Sequence, residues 1–291
     1  RGSCQIDFRV SAGGTDRRGS SPLVGWPPRR TCCRRPSGSW LTRDVVEPLD
    51  VVLLLVGGLA AGVINTMAGG GSLLTVPLLV LAGVPGNVAN GSNRVGIFAS
   101  NVTAAATFRR LGVSGLTRIL PVLVPVAVGA VAGAVLVGQL ADETFDRVFG
   151  FLMVPVLIVC LRQPSVEAKQ TGDRWSSPVA ALVFFGIGLY GGAFQAGIGL
   201  FLVLALSQSG LDLVVANNIK VLVILVVTLA ALPVFILGGR VDWIPALVLA
   251  AGFAVGGLVG ARFTVRGGDR IVRPVLVLSV LGFSGRLLGL Y

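Results

Sequence analysis

The sequence predicts an all-α membrane protein with about eight transmembrane helices, two short re-entrant half-helices and two tandem structural repeats. Three observations lead to this prediction. Only 13% of the 291 residues are charged and 54% are hydrophobic, whereas a soluble domain carries about 25% charged residues. The apolar residues are gathered into runs of membrane-spanning length. Two stretches of the chain also repeat the same order of amides, glycines and cations.

The apolar segments justify the predicted elements in order. Eight of them approach the ~20 residues that are needed to cross the hydrocarbon core. They cover residues 49–67, 88–108, 115–139, 145–162, 177–195, 212–237, 243–263 and 271–290. Two further pieces, residues 72–83 and 199–209, are too short to cross alone, so we expect re-entrant half-helices there. Such breaks are tolerated only where protein or a water-filled cavity covers the backbone.

Four segments make up the predicted organisation. Residues 1–43 hold nine arginines among Ser, Gly and Pro without a sustained apolar pattern. They are either a disordered basic tail or a wrongly assigned translation start, and we favour the second reading slightly. Residues 44–164 are expected to form the first transmembrane repeat, 165–174 a cytoplasmic linker and 175–291 the second repeat.

The net charge of +11 does not indicate a nucleic-acid-binding protein. Most cations lie in the head and in short loops, so no continuous basic surface is expected. The expected partners are the lipid bilayer and a small anionic substrate. The sequence leaves open whether the chain acts alone or as a homodimer.

Loop charges predict an orientation through the positive-inside rule. With the N-terminus inside and both short pieces re-entrant, Arg109, Arg110 and Arg240 are expected on the cytoplasmic side and the loop around Asp142 outside. The arginines of residues 262–273 disagree, because they would then face outside. If both short pieces crossed fully, the repeats would be inverted and not parallel. The loop charges favour parallel repeats.

The repeated stretches share one order: an amide, a Gly-rich break, a short apolar piece, Val-Ala-Asn and then a cation. The first copy is residues 65–71 (NTMAGGG) and 88–94 (VANGSNR), and the second is residues 195–199 (QAGIG) and 215–220 (VANNIK). Paired interruptions in corresponding halves point to the substrate site of a transporter, and a cation within apolar sequence marks a functional site by default. We therefore expect a central anion site built from both halves.

The glycine breaks are expected to supply backbone donors. Glycine lets the chain turn at positive φ and lets a ligand approach the main chain. A half-helix that begins at such a break presents free N–H groups and the positive end of its dipole. The alternative is that these glycines only allow close helix packing, but three glycines in a row next to an amide favour binding. The glycines assigned to the site are Gly69, Gly70, Gly71, Gly197 and Gly199.

Amide and cationic side chains complete the predicted site. Amides offer both donors and acceptors, and Arg or Lys neutralises an oxyanion. Residues three or four apart share a helix face, which groups each cation with at least one amide. The alternative is that both cations extend to the interface from helix ends. The side chains assigned to the site are Asn65, Asn90, Asn93, Arg94, Gln195, Asn217 and Lys220.

The sequence does not indicate an enzyme. It has no His, no Ser or Cys nucleophile beside a base, no close pair of carboxylates within a span and no P-loop. The four cysteines form no CxxC pair, so neither a metal site nor a cofactor is expected. Asp212, at the entrance of its helix, is either a cap or a proton-coupling group.

These motifs resemble the TauE/SafE family of membrane transporters, also called sulfite exporters. The resemblance covers nearly all of the chain after the basic head, and its second half is similar to the family's second repeat. The motifs that carry it are residues 62–72 (GVINTMAGGGS), 75–77 (TVP), 89–95 (ANGSNRV), 191–199 (GGAFQAGIG) and 216–221 (ANNIKV).

The resemblance implies a secondary transporter, with export favoured, for small sulfur-containing anions such as sulfite or organosulfonates across a prokaryotic inner membrane. The family's usual amide later in the second-repeat helix is Thr228 here, which weakens the expectation of a polar role at that position. Two other functions stay open, namely an anion channel with the same site and a membrane-embedded assembly subunit without transport activity.

Overall fold

The computed structural model describes most of the chain after the head. The described ranges are residues 48–113, 116–161, 177–207 and 213–266. The predicted head, the linker at 165–174 and the last span at 271–290 lie outside them. Within the described ranges the regular structure is helical. The helices are α1 (Pro48–Ala68), α2 (Gly71–Leu81), α3 (Gly86–Arg110), α4 (Leu116–Gly138), α5 (Asp142–Leu161), α6 (Ser177–Ala193), α7 (Ile198–Ser207), α8 (Leu213–Leu237) and α9 (Trp243–Val265).

Several of these helices are long and apolar enough to cross a bilayer. Among the described residues, four segments meet both conditions: Pro48–Met67, Leu120–Gly138, Val214–Leu237 and Trp243–Val265. Large apolar side chains on the outside of the bundle, such as Phe151, Leu182 and Leu237, are mostly exposed, as lipid-facing residues are. The protein is therefore an all-helical, multi-pass membrane protein. The count of eight spans stays a prediction.

The short helix α2 folds back along α1. Gly57 of α1 faces Leu78 near the end of α2, and Gly71 at the start of α2 faces Asn65 near the end of α1. The two helices are therefore antiparallel. With 11 residues and a rise of about 1.5 Å per residue, α2 covers roughly half of a hydrocarbon core about 30 Å thick. Its counterpart α7, which follows α6, has 10 residues.

Glycine contacts align α1 with α9. A Cβ atom on Gly252 would meet the carbonyl oxygen of Leu55, and one on Gly260 would press on the carbonyl oxygen of Val63. The contacts advance along both helices in the same direction, so α1 and α9 are parallel. The absence of side chains at these positions lets the two backbones approach closely, as small residues do between membrane helices.

The same arrangement joins α4 to α6. A Cβ atom on Gly129 would meet the carbonyl oxygen of Phe185, and one on Gly133 would meet that of Leu189. These helices are therefore parallel as well. The first helix before each glycine break thus packs against a glycine-bearing helix from the other half of the chain.

Two further contacts fix the direction of α3. Phe253 of α9 lies against Gly96 and Gly257 lies against Ser100, so α3 runs parallel to α9. The Asn87 amide at the start of α3 donates to Leu140 just after the end of α4, at 3.1 Å, so α3 and α4 are antiparallel. Helices α1, α3 and α9 run in one direction, and α4 and α6 run in the other.

Two parts of the predicted orientation are wrong. Arg240 was expected on the side opposite Asp142, but Arg240 Nη1 lies 3.6 Å from Asp142 Oδ1. Arg109 and Arg266 were expected on opposite sides, but they lie where the parallel helices α3 and α9 end. The prediction failed because it assumed that α1 and α3 cross in opposite directions. The reversal at α2 makes them parallel.

The charges of the described residues therefore separate by end. We call the end at which α3 and α9 finish the basic end, because it carries Arg109, Arg110, Arg262 and Arg266. The opposite end, the acidic end, carries Arg147 and Arg240 together with all five described carboxylates, which are Asp50, Asp142, Glu143, Asp146 and Asp242.

Replacement of Gly188 by Ala should destabilise the protein, whereas Gly186→Ala should not. A Cβ atom on Gly188 would meet the carbonyl oxygen of Val126, but one on Gly186, in the same helix, meets nothing within 4 Å. Overpacking costs about 1–3 kcal/mol, while Ala gains up to about 1 kcal/mol over an unpacked helical Gly. Apparent melting temperatures in detergent measure the difference. Equal values for the two variants would contradict the described packing of α4 on α6.

Candidate binding site at the two helix breaks

The two glycine breaks meet each other. Gly199 N lies 3.4 Å from Gly69 O, and the position of a Cβ atom on Gly69 is occupied by Gly199 Cα. Gly69 and Gly197 have φ values of 77° and 69°, and Gln195 also has a positive φ of 59°. Because α1 and α6 run in opposite directions, the chain reaches this meeting point from both ends of the bundle.

The first break ends one helix and begins another. Gly69 N donates to Asn65 O at 2.8 Å, in the left-handed conformation with which glycine commonly closes helices. Gly70 is the N-cap residue of α2, and no side chain forms a capping hydrogen bond there. The first N–H groups of α2 thus depend on other partners, next to the buried side chain of Asn65, which lies against Gly71.

Arg94 caps the C-terminal end of α6. Its guanidinium donates to the carbonyl oxygens of Gly191, Gly192 and Ala193, and the residue is fully buried. Carbonyl groups in the last turn of a helix lack intrahelical partners, and a cation there is favoured by the helix dipole. The Phe235 ring lies 4.4 Å from the guanidinium carbon. The alternative that Arg94 extends to the interface is wrong.

Lys220 makes the corresponding contact in the other half. Its Nζ atom donates to the carbonyl oxygen of Thr66, in the last turn of α1, at 2.8 Å. Lys220 is also fully buried, so it does not extend to the interface either. Each broken helix therefore ends against a cation that the opposite half of the chain supplies.

Amides surround the two cations and are held by neighbouring helices. Asn90 donates to Ala193 O at 2.8 Å, beside the contacts of Arg94. The hydroxyl group of Thr75, on α2, donates to the side-chain oxygen of Asn93. Gln195 donates to the hydroxyl oxygen of Thr228. The bond of Asn90 crosses between the two halves, and the other two hold an amide within its own half.

Several buried polar atoms at this site have no hydrogen-bond partner, although most buried polar atoms in proteins have one. The donors among them are Asn65 Nδ2, Asn93 Nδ2 and Arg94 Nε. Acceptors include Asn90 Oδ1 and Gln195 Oε1. The unpaired donors belong to residues that are at most 2% exposed. These donors can therefore form hydrogen bonds with a further acceptor.

One predicted site residue points elsewhere. The Asn217 amide donates to the hydroxyl oxygen of Thr264 on α9, at 3.1 Å, and not toward the breaks. Its neighbour Asn218 faces the carbonyl oxygen of Val113 at the basic end. The other predicted side chains lie at the two breaks or contact the helices that end there. They are Asn65, Asn90, Asn93, Arg94, Gln195 and Lys220.

Sequence reasoning missed four residues of this site. Thr66 takes part through its backbone carbonyl oxygen, which no sequence pattern marks, and Thr75 lies between Leu74 and Val76, where nothing indicated a polar partner. Thr228, whose polar role was expected to be weak, accepts the hydrogen bond from Gln195. Phe235 could not be found from sequence, because an aromatic residue in an apolar helix is most often a packing residue.

Two buried cations dominate the described charges of the site. Arg94 and Lys220 are the buried charged residues of the described chain, and no described carboxylate is buried with them. A buried charge normally has a countercharge or a full set of hydrogen bonds. Among the described residues, no three His, Cys, Asp or Glu side chains are grouped as metal ligands would be. The arrangement is suited to attract and hold an anion.

Comparison with known proteins assigns the chain to a family. The family model described as "Sulfite exporter TauE/SafE" matches residues 54–287. The chain belongs to the TauE/SafE family. The resemblance of its motifs to that family is thereby confirmed, and the protein is a membrane transporter.

Relatives of this TauE/SafE protein have matching lengths and similar names. It is 28% identical to "Probable membrane transporter protein YfcA" of Escherichia coli (strain K12), over 84% of this chain and 91% of the relative. It is 29% identical to "Probable membrane transporter protein ORF9" of Sinorhizobium sp, over 82% and 92%. A Haemophilus influenzae "Probable membrane transporter protein" is 27% identical, over 84% and 96%. No solved structure matches the chain.

Replacement of Gly69 by Ala should disrupt the site much more than Gly112→Ala does. Both glycines have φ of +77°, but a Cβ atom on Gly69 would meet the backbone of Gly199, whereas one on Gly112 meets nothing within 4 Å. Both variants bear the left-handed strain of about 1–2 kcal/mol; only Gly69→Ala also separates the breaks. Melting temperature and folded yield in detergent compare them. Similar losses in both variants would mean that the contact between the breaks is unimportant.

Proposed function

We propose that this protein is a secondary transporter that exports small sulfur-containing oxyanions, such as sulfite or an organosulfonate, across a prokaryotic inner membrane. The observation that carries the proposal is that two fully buried cations, Arg94 and Lys220, cap the two broken helices, and that Arg94 Nε has no hydrogen-bond partner. A charged side chain costs about 3 kcal/mol or more at the centre of a bilayer. Two such residues are retained because an anionic substrate uses them.

The charge of the substrate follows from a simple balance. The C-terminal ends of α1 and α6 each contribute about half a negative charge, and the N-terminal ends of α2 and α7 each contribute about half a positive charge. These four partial charges cancel. The guanidinium charge of Arg94 remains, without a buried carboxylate among the described residues, so the site is suited to a small anion.

The unpaired donors favour an oxyanion over other anions. Asn65 Nδ2, Asn93 Nδ2 and Arg94 Nε are buried donors without partners, and several oxygens on one central atom can accept hydrogen bonds from several directions at once. The sulfur content of the substrate rests on the description of the family, "Sulfite exporter TauE/SafE". The names of the relatives mention transport without a substrate.

We further propose that the two halves are inverted repeats. The support is that helix contacts come in matching pairs: α1 packs on α9 as α6 packs on α4, and α3 packs on α9 as α8 packs on α4. The first of these pairings uses equivalent glycines, Gly129 and Gly133 matching Gly256 and Gly260. Inverted repeats with broken helices at the midplane are the usual basis of alternating access.

The charge difference between the two ends supports an orientation. The positive-inside rule places the basic end, with Arg109, Arg110, Arg262 and Arg266, in the cytoplasm and the N-terminus of α1 outside. Cations at the cytoplasmic end would attract anions, and the carboxylates of the acidic end would disfavour their return. This asymmetry is our reason for favouring export.

Lys220→Met should abolish anion binding, while Lys220→Arg should keep part of it. Met retains most of the apolar stem and removes the charge, whereas Arg keeps the charge in a different shape. A bound anion raises the melting temperature by mass action, so thermal shifts with sulfite, sulfate, thiosulfate, taurine and sulfoacetate measure binding. Arg109→Met, at an exposed position, is the control and should respond as the wild type does.

Two results would contradict the proposal in different ways. If Lys220→Met still responds like the wild type, the anion is held without the lysine. If the wild type responds to none of the five compounds, the substrate is not a sulfur anion of this kind. Anion flux into proteoliposomes separates a transporter from a channel. Only in a channel would the flux neither saturate with anion concentration nor depend on exchange for an anion on the other side.

Labelling of single cysteines should reveal the orientation. In a variant without the four native cysteines, an impermeant maleimide should label Gln139→Cys, at the acidic end, in intact cells. Leu111→Cys, which follows α3 at the basic end, should react only after the membrane is permeabilised. Both positions are exposed, so both are chemically reachable. The reverse pattern would place the basic end outside and overturn the orientation.

A further inference from the structure

A cavity lies at the acidic end, between the C-terminal ends of α4 and α8. Its volume is about 150 Å³, which is room for several water molecules or for one small oxyanion with water. Arg240 and Gln139 provide the charged and polar parts of its lining, and the remaining lining residues are apolar or glycine. Gln139 is exposed, so the cavity is reached from the surface at this end.

A single aromatic ring separates this cavity from the central site. Phe235 lines the cavity, is only 1% exposed, and lies with its ring 4.4 Å from the guanidinium carbon of Arg94. Arg94 is therefore one ring away from a space that solvent can enter. The cation–π contact favours the present position of the ring without a covalent or hydrogen-bonded restraint.

Arg240 is only loosely engaged at the cavity. Its partner Asp142 lies 3.6 Å away, and the side chains are 28% and 44% exposed. Exposed ion pairs of this kind contribute little to stability. Because Asp142 Oδ1 is buried without a hydrogen-bond partner, an anion in the cavity has to compete with Asp142 for Arg240, and Asp142 takes the arginine back when the anion leaves.

We infer that this cavity is a second anion site, in which Arg240 holds a small oxyanion next to the central site, and that Phe235 is the partition between the two. The inference rests on the proposed function, since it needs an anion at Arg94. The exchange of Arg240 between the anion and Asp142 makes the second site weak. A weak site is suited to the final step of release.

Phe108 offers a matched comparison for Phe235. Phe108 and Phe235 are separated by as many residues as Asn90 and Asn217 are, so they are corresponding positions of the two halves. Phe108 is equally buried, and it packs with Val221 next to Lys220. In the described chain, however, Phe108 does not line the cavity and is not seen in contact with a cation. Replacement of Phe108 therefore measures the effect of losing a buried aromatic ring alone.

The second site is tested by the reactivity of a cysteine at its mouth. Gln139→Cys, in detergent-solubilised full-length protein without native cysteines, is treated with an anionic and with a cationic methanethiosulfonate. Arg240 should make the anionic reagent react faster, and sulfate, the probe anion, should slow it. Arg240→Gln should reduce the preference for the anionic reagent by about two- to fivefold, the worth of one exposed charge, and should remove the protection by sulfate. If neither effect depends on Arg240, the second site is wrong.

The partition is tested by the rate of sulfite exchange in proteoliposomes. Phe235→Leu keeps apolar bulk but removes the contact with Arg94, so exchange should be faster than in Phe108→Leu. An equal or slower rate in Phe235→Leu would overturn the role of Phe235. If the wild type exchanges neither sulfite nor any other sulfur anion, the proposed function fails. The cysteine experiment still decides the second site in that case, because it requires no transport.

Discussion

The structure depends on how two broken helices end inside the bundle. The last carbonyl groups of α1 and α6 are buried, and a buried carbonyl without a partner costs about 1–3 kcal/mol. Lys220 and Arg94 supply the donors. The same contacts reduce the cost of burying the two cations, because each lies at the negative end of a helix dipole. In an apolar interior, the broken helix end and the cation therefore stabilise each other.

This arrangement links substrate binding to helix geometry. In the transport that we propose, an anion at the site would compete with the carbonyl groups of Gly191, Ala193 and Thr66 for the donors of Arg94 and Lys220. Binding would therefore weaken the caps of both broken helices at once. A transporter needs such a connection, since a ligand can shift a conformational equilibrium only by binding one state more tightly than the other.

Most of the polar side chains that lie at the two breaks could be picked out from the sequence, but the relative direction of the helices could not. Asn65, Asn93, Arg94 and Lys220 are conspicuous because polar residues are rare and costly in apolar segments. Their partners are mostly backbone carbonyl groups, which every residue has and no sequence pattern marks. The orientation depends on whether α2 reverses the chain, and loop charges alone gave the wrong answer. The contact between Arg240 and Asp142 corrects it, because it connects two loops that are far apart in sequence.

The exchange of caps between halves also constrains how such a chain could arise. A half-length ancestor would have contained both a broken helix and a cation, but in this chain each cation caps the broken helix of the other half. On the inverted repeats that we propose, two copies inserted in opposite orientations would have completed each other and formed the same centre as an antiparallel homodimer. Gene fusion would then have removed the requirement for identical halves. Fusion permits the two halves to diverge. One half has an arginine and the other a lysine, and their positions differ by one residue when the halves are aligned.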